Sequence, residues 1–199
     1  VSWRALCMAL HTPMNGDSVG STAASRRLSG LVQITDCLYL SNGSAANDIA
    51  LVSACKITCI ISATTDAPNT ACPSVKHVRV PVTDSPLSPL GDFFDTVADT
   101  IQQVGEQHGR TLVHCNAGVS RSAALCLAYL MKHRSMTLLD AHTWLRTRRP
   151  IVRPNRGFWK QLISYEHKLY GSTTVKMVAS SIGEIPDIYE EEARDMIPY

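Results

Sequence analysis

The sequence predicts an α/β fold, in which a central and mostly parallel β-sheet is flanked by helices on both faces. Two observations lead to this prediction. Short apolar, β-prone segments alternate along the chain with longer segments whose apolar residues recur every three or four positions. This alternation is typical of parallel strands joined by helical crossovers. With 199 residues, of which 45% are hydrophobic, the chain is also long enough to bury a substantial core in one domain.

The first half of the chain is predicted to contain mainly strands. Residues 31–34 and 38–41 have the apolar character of two short strands, with a turn at Asp36 between them. A helix at residues 45–54, a buried strand at 58–62, a loop at 69–73 and a further strand at 77–80 follow.

Helices predominate in the second half. Phe93, Val97, Ile101 and Val104 share one face of a helix that Gly109 is expected to end. After a strand at residues 111–113, residues 123–131 are apolar on every side, as in a fully buried helix. Two more helices are predicted. The first follows a capping box at Thr137 and Asp140, with Leu138, Ala141 and Leu145 facing inward. The second is indicated by the spacing of Phe158, Leu162, Tyr165 and Leu169.

The segment VHCNAGVSRS, residues 113–122, connects the predicted strand to the buried helix. The free N–H groups at a helix start and the helix dipole favour an anion there, and a loop of small residues can aim further N–H groups at it. Gly118 permits a turn that a side chain would block, and the Arg121 guanidinium can bind two phosphate oxygens at once. The segment therefore predicts a phosphate site.

Cys115 lies in the same positive field, which favours its thiolate form. A free cysteine with a pKa of about 8.5 is only a few per cent thiolate at neutral pH, whereas sites of this kind reach pKa values of roughly 3.5–7.5. A sulfur nucleophile and a phosphate site at one place indicate thiolate attack on a phosphate ester.

The motif His114-Cys115-x-x-Gly118-x-x-Arg121-Ser122 resembles the signature of the cysteine-dependent protein phosphatases, and its fuller form resembles the dual-specificity branch. Further segments at residues 30–35, 84–86, 153–159 and 185–190 are similar to the small atypical members, in particular the subgroup of dual-specificity phosphatases 14, 18 and 21. The resemblance covers residues 29–199.

The resemblance implies a role for each residue of the motif. The phosphate would be bound by Asn116, Ala117, Gly118, Val119, Ser120 and Arg121, and Cys115 would be the nucleophile. Ser122 would assist the thiolate as a leaving group in the second step, although its hydroxyl is equally suited to beginning a helix. His114 and Asn155 would support the loop, and for Asn155 a cap or turn role is the simpler interpretation from sequence alone.

A carboxylate must protonate the departing oxygen and then activate water. Asp84 is the first candidate, because it lies in a loop rich in proline and serine directly after a predicted strand, and because the family's general-acid loop resembles this segment. Asp92 and Asp95 lie where a helix begins and are better explained as helix-start charges. Asp66 follows a strand but has no supporting motif.

Composition weighs against several other classes of protein. The net charge of +2 gives no support to a nucleic-acid partner, and no apolar run reaches membrane-spanning length. Seven cysteines without a C-x-x-C pair argue against a disulfide framework, and Cys55 and Cys59 lack two further ligands for a metal. We therefore expect no metal or cofactor, and a reducing compartment such as the cytoplasm or nucleus.

The predicted organisation is a flexible arm at residues 1–28, a catalytic domain at 29–171 and a tail at 172–199 that packs on it. Three rival functions fit the sequence less well. A catalytically dead phosphopeptide-binding module would have lost Cys115, a lipid or RNA-end phosphatase commonly carries lysines in the loop, and a thiol redox protein needs a cysteine nearer than Cys126. The expected function is hydrolysis of phosphotyrosine and phosphoserine or phosphothreonine in proteins, with MAP kinases or their regulators as candidate partners through the resemblance.

Overall fold

A computed structural model describes residues 30–66 and 74–194; the predicted arm at 1–28 and the predicted loop at 69–73 lie outside the described residues. The strands are β1 (Leu31–Gln33), β2 (Leu38–Ser41), β3 (Cys59–Ser62), β4 (Lys76–Arg79), β5 (Thr111–His114), β6 (Met177–Ser180) and β7 (Gly183–Pro186). The first five form one sheet in the order β1-β2-β5-β3-β4, in which all neighbours are parallel except β1 and β2. The predicted α/β class is confirmed.

The helices are α1 (Gly43–Ala46), α2 (Ile49–Ala54), α3 (Phe94–Glu106), α4 (Arg121–Arg134), α5 (Leu138–Arg148), α6 (Arg156–Tyr170) and α7 (Glu190–Arg194), with 3₁₀ turns at Leu90–Phe93 and Asp187–Tyr189. None of the helices in the described part of the chain combines the length and the apolar character that crossing a bilayer requires.

Alternation within the central strands creates a core on each face of the sheet. Tyr39, Ile60 and Leu112 pack in a cluster with residues of α1 and α2. Their strand neighbours Leu40 and Val113 face the other way, into the larger cluster built on α3 to α6. Because successive side chains of a strand point to opposite faces, a sheet covered on both sides needs apolar residues at consecutive positions.

Helix α4 runs through the centre of the larger cluster. Every residue from Arg121 to Met131 is buried, as the all-round apolar sequence predicts. The helix begins directly after the loop that carries Cys115, so the strand–loop–helix junction predicted for residues 113–122 is confirmed. The rigid core therefore fixes both ends of that loop.

Two element boundaries differ from the sequence prediction. The single helix predicted at residues 45–54 is two short helices, because the Asp48 side chain accepts a hydrogen bond from Leu51 N and starts a new helix there. Gly109 does not end α3 by adopting a left-handed conformation; His108 does so, with φ of 59°. Gly109 is needed for close approach instead, since a Cβ there would lie 2.5 Å from Thr58 Oγ1.

The chain after α6 adds a two-stranded hairpin, β6 and β7, that the sequence did not predict. Val175, Ile185, Tyr189 and Ala193 from this segment belong to the larger core cluster. The Tyr189 ring packs edge-on against Trp159 of α6, with the ring centroids 5.7 Å apart. These contacts join residues 175–193 to the core.

Candidate active site

Cys115 lies at the carboxyl end of β5, where the loop of residues 115–120, here called the signature loop, begins. Its side chain is only 1% exposed. The sulfur accepts a hydrogen bond from Gly118 N at 3.2 Å and lies 3.1 Å from Ser122 Oγ. The signature loop therefore surrounds the sulfur, which is the arrangement expected of an anion site formed by loop N–H groups.

Opposing effects set the pKa of the Cys115 thiol. Burial raises it, but the Ser122 hydroxyl and the backbone N–H groups of Ser122, Val119 and Gly118 stabilise the thiolate, and the net pKa is lowered. Burial without such donors has the opposite outcome at Cys126, one turn into α4, where it raises the thiol pKa strongly. Hydrogen bonding to the charged form therefore decides the state of Cys115.

The carbonyls of the signature loop are bound from outside. Asn116 O accepts from Gly43 N at 3.1 Å and Val119 O accepts from Arg153 N at 3.0 Å. Between them, Ala117 O and Gly118 O accept from the Arg149 guanidinium at 3.1 and 2.7 Å. Because four consecutive carbonyls are held outward, the N–H groups of the signature loop are free to face the sulfur and an incoming anion.

Gly118 is required at its position for two reasons. Its φ is +68°, a conformation that side chains disfavour, and a Cβ would lie 2.5 Å from the Ser41 carbonyl oxygen. The close approach of the signature loop to the end of β2 therefore admits only glycine.

Arg121 opens α4 and is 7% exposed. One of its terminal nitrogens donates to Val82 O at 3.2 Å, and its Nε is buried without a hydrogen-bond partner in the structure. Nε also lies 3.8 Å from Asp84 Oδ2. A buried guanidinium donor without an acceptor, beside a thiolate-stabilising loop, suits an oxyanion with several oxygens.

Asp84 follows β4 in the proline-rich loop and meets the signature loop. Its Oδ1 accepts from Ser120 Oγ at 2.6 Å and from Asn155 Nδ2 at 2.8 Å. The rival carboxylates are elsewhere. Asp95 is bound by Lys132 and Lys168, which hold its pKa far below the usual range, and Asp66 accepts from Thr64 Oγ1 at 3.1 Å. Of the four aspartates considered, the structure brings Asp84 to Arg121.

Comparison with known proteins decides the family. Residues 38–168 match the family model described as dual specificity phosphatase, catalytic domain. The chain belongs to the dual specificity phosphatase family. It is 58% identical over 171 residues to human dual specificity protein phosphatase 18, covering 86% of this chain and 91% of that protein.

Other relatives agree with this assignment. Human dual specificity protein phosphatase 14 is 52% identical, with 86% of this chain and 87% of that protein covered. For human dual specificity protein phosphatase 21 the identity is 57%, and the coverage is 83% and 87%. The predicted resemblance to this subgroup is confirmed. Among solved structures, human DUSP28 is similar with a TM-score of 0.68 and 34% identity, over 70% of this chain and 95% of that one.

Asn155 combines the cap and the support roles considered from the sequence. Its side-chain oxygen accepts from Gly157 N and Phe158 N, both at 3.0 Å, at the start of α6. Its amide nitrogen donates to Asp84, and its backbone N donates to Ser120 Oγ at 3.1 Å. Asn155 therefore links α6 and the signature loop to the loop of residues 80–89, here called the acid loop because it carries Asp84, the candidate acid.

His114 and Asn116 flank Cys115 in the chain. Burial lowers the pKa of the His114 imidazole, a hydrogen bond with the Cys115 backbone opposes this, and nearby His77 lowers it further. Asn116 is exposed and holds Gly43 through its carbonyl alone. The phosphate contact predicted for Asn116 would therefore come from its backbone N–H.

Sequence reasoning missed Arg149, which is 8% exposed and also donates to Gly30 O at 3.1 Å. It belongs to a cluster with Arg146 and Arg148, and nothing in that run distinguishes the residue that binds the signature loop. The second residue that the sequence did not single out is Gly157, within the segment 153–159. A Cβ there would lie 1.8 Å from Pro86 O, so glycine lets the acid loop of this phosphatase rest on α6.

Cys55 and Cys59, weighed as a metal pair, belong to the cores on opposite faces of the sheet. Within residues 30–66 and 74–194, no group of three or more histidine, cysteine, aspartate or glutamate side chains is placed to hold a metal ion.

Proposed function

We propose that this dual specificity phosphatase hydrolyses phosphotyrosine and phosphoserine or phosphothreonine in proteins through a phosphocysteine intermediate. Family membership carries protein phosphatase activity. The mechanism rests on one observation above all, the lowered pKa of a Cys115 thiol that is enclosed by donor N–H groups beside the unpartnered Nε of Arg121.

In the first step, the Cys115 thiolate attacks phosphorus while two phosphate oxygens bind the Arg121 fork. The bond from phosphorus to the seryl, threonyl or tyrosyl oxygen breaks, and Asp84 gives its proton to that oxygen. The N–H groups of residues 116–121 donate to the three non-bridging oxygens and stabilise the negative charge spread over them.

In the second step, water attacks the phosphocysteine. Asp84, now ionised, accepts a proton from the water, and the sulfur leaves as thiolate with its charge stabilised by the Ser122 hydroxyl, 3.1 Å away. Inorganic phosphate departs, and both Cys115 and Asp84 return to their starting states. The same carboxyl group thus acts as acid and then as base.

The proposal also covers the substrates of the enzyme and its location in the cell. Phosphoproteins are the substrate class, and MAP kinases or their regulators are candidates through the resemblance to their phosphatases. Chemistry at a thiolate requires that Cys115 stay reduced, which supports a cytoplasmic or nuclear location. The free cysteines among the described residues are compatible with such a compartment.

The test is turnover of paired phosphotyrosine and phosphothreonine peptides by the wild type and Cys115→Ser. The wild type is expected to hydrolyse both, and Cys115→Ser is expected to retain under about a hundredth of that rate while still binding the peptides, because a serine hydroxyl is not ionised at neutral pH. Cys55→Ala, which removes a thiol on the other face of the sheet, is the control. Turnover by Cys115→Ser at more than a hundredth of the wild-type rate would exclude this nucleophile.

A further inference from the structure

A second cavity lies beside the signature loop, on the face of the sheet covered by α1 and α2. Its volume is about 110 Å³, several times the space of one water molecule. Ser62, His77 and His114 line its inner part, and Asn47, Asp66 and Asn116 line its exposed mouth. His114 and Asn116 are the residues on either side of Cys115, so the cavity adjoins the end of β5 from which the signature loop begins.

Three buried polar atoms in this cavity have no hydrogen-bond partner in the structure. They are Ser62 Oγ, His77 Nε2 and His114 Nδ1, and all belong to residues that line the cavity. Ser62 is only 2% exposed. They come from three neighbouring strands, since β3 pairs both β4 and β5 and places Ser62 directly opposite His114. Buried polar groups of folded proteins are rarely left unpartnered, and a cluster of three points to a polar ligand.

The chemistry of the lining favours a ligand that donates hydrogen bonds and carries positive charge. Burial lowers the pKa of the His114 ring, which favours its neutral form, and a neutral imidazole has one nitrogen that accepts a hydrogen bond. Asp66 supplies a carboxylate at the mouth, and no lysine or arginine is among the described lining residues. Arg79 of β4 is exposed and donates to Thr65 O at 3.2 Å instead.

We propose that this cavity is a substrate subsite that receives an arginine or lysine side chain flanking the phosphorylated residue. The ammonium or guanidinium group donates to Ser62 Oγ and His114 Nδ1, and its charge is balanced by Asp66. The inference rests on the proposed function, because it needs the phosphate on the signature loop. Since an extended peptide advances about 3.3–3.6 Å per residue, the side chains within three positions of the phosphoresidue lie within roughly 11 Å of it along the chain.

An acidic side chain is a poor fit for the same cavity. It would bring a second carboxylate next to Asp66, and like charges at short range repel. The subsite therefore distinguishes basic from acidic sequences around the phosphoresidue.

The experiment measures kcat/KM on a set of phosphotyrosine peptides that differ at one position each. Arginine, glutamine and glutamate are placed in turn at each of the three positions before and after the phosphotyrosine. The readout is the ratio of kcat/KM for the arginine peptide to that for the matched glutamine peptide, in which any general change in turnover cancels. At one position we expect a ratio of about ten, the size of one charge-assisted hydrogen bond.

The ratio should fall to about two or less in Asp66→Asn and in Ser62→Ala, and it should be unchanged in Glu106→Gln, which removes an exposed carboxylate at the end of α3. Ratios near one at every position, or a ratio that survives both cavity variants, would overturn the subsite. A preference for glutamate would overturn it in favour of an anion site. No turnover of any peptide by the wild type would instead refute the proposed function.

Discussion

The two oxygens of the Asp84 carboxyl group have different surroundings. Oδ1 accepts from both Ser120 and Asn155 at 2.6 and 2.8 Å. Oδ2 lies at the longer distance of 3.8 Å from Nε of Arg121. Because Oδ1 is occupied by two donors, Oδ2 is the oxygen available to carry the proton that the leaving group needs. We therefore interpret Ser120 and Asn155 as positioning residues for the acid.

Asp84→Asn tests the acid role directly. With a phosphothreonine peptide, whose leaving oxygen is strongly basic, kcat is expected to fall by roughly 10²–10⁴ because the proton donor is lost. With an aryl phosphate whose leaving group needs little protonation, the fall should be much smaller. The measurement is kcat and kcat/KM for both esters from about pH 5 to 8, under conditions in which phosphoenzyme hydrolysis is not limiting.

Asp92→Asn is the matched control, since it removes an exposed carboxylate from the same part of the chain. It should leave both esters within about twofold of the wild type, as surface substitutions usually do. Equal losses on both esters in Asp84→Asn would mean that Asp84 only holds its loop, and the acid role would then pass to another carboxylate.

At the scale of elements, the acid loop and α6 meet without a side chain between them. Gly157 lies in the first turn of α6, and the Pro86 carbonyl occupies the place where its Cβ would be, at 1.8 Å. Gln161, one turn further, extends the contact by donating to Ser88 O at 2.9 Å. Helix α6 thus forms the surface on which the loop carrying Asp84 rests.

Gly157→Ala should displace the acid loop, because a methyl group cannot share space with a backbone oxygen. We expect kcat to follow the pattern of Asp84→Asn, with a loss of about tenfold or more on a phosphothreonine peptide and a smaller loss on an activated aryl phosphate. Gly171→Ala at the other end of α6 is the control. Its φ of +72° makes alanine strained there, but nothing lies within 4 Å.

Thermal unfolding and turnover together distinguish the outcomes for Gly157. Gly171→Ala should lower the melting temperature and leave kcat near the wild-type value. If Gly157→Ala lowered only the melting temperature, and turned over both esters at the wild-type rate, the loop would not depend on this contact.

In the elements that the sequence predicted correctly, the residues that form the apolar pattern are also the residues that are buried in the structure. The continuous apolar run of α4 and the four- and three-residue spacing in α3 predicted helices that are present. The hairpin of β6 and β7 was not predicted, because its strands are short and only Ile185 and Pro186 are buried. The break between α1 and α2 depends on one Asp48 hydrogen bond, which apolar periodicity does not register.

The candidate site likewise contains residues that a local sequence pattern indicates and residues that it does not. Cys115, Arg121 and Asp84 could be proposed from the sequence because each has a chemical role that its neighbours in the chain support. Arg149 acts across 31 residues of chain, on carbonyls whose direction depends on the folded loop. Long-range contacts of this kind leave no local pattern, and only the structure identifies them.

At the scale of the whole molecule, Arg153 links the C-terminal segment, residues 175–193, to the signature loop. The Arg153 guanidinium lies over the Tyr189 ring, 4.3 Å from its centroid, and donates to Glu192 at 2.6 Å. Its backbone N donates to Val119 O at 3.0 Å. Arg146 shares Glu192 at 2.8 Å. The segment therefore stabilises the chain that leads from α5 to the active site.

His142 lies at the centre of this arrangement and predicts how stability depends on pH. It is 4% exposed, and its Nε2 is 2.9 Å from the Tyr189 hydroxyl. The pKa of its imidazole is lowered to about 4, mainly by burial and also by Arg146 and Arg153, while Glu192 acts in the opposite direction. An unfolded chain would bind a proton near the ordinary value of 6.5. Because the unfolded state binds more protons between these values, stability falls as the pH falls through this window.

The loss expected from His142 is about 2 kcal/mol of unfolding free energy between pH 7 and pH 5. It corresponds to a decrease of roughly 4–8 °C in melting temperature. His142→Gln removes the titrating ring, so its melting temperature should fall less than that of the wild type over the same pH interval by about this amount, whatever its starting value. His167→Gln, at an exposed histidine of α6, should keep the full decrease. If His142→Gln lost as much as the wild type between pH 7 and pH 5, the acid sensitivity would arise from another titrating group, and not from Asp95, Asp99 or Glu192, whose lowered pKa values make stability fall only at lower pH.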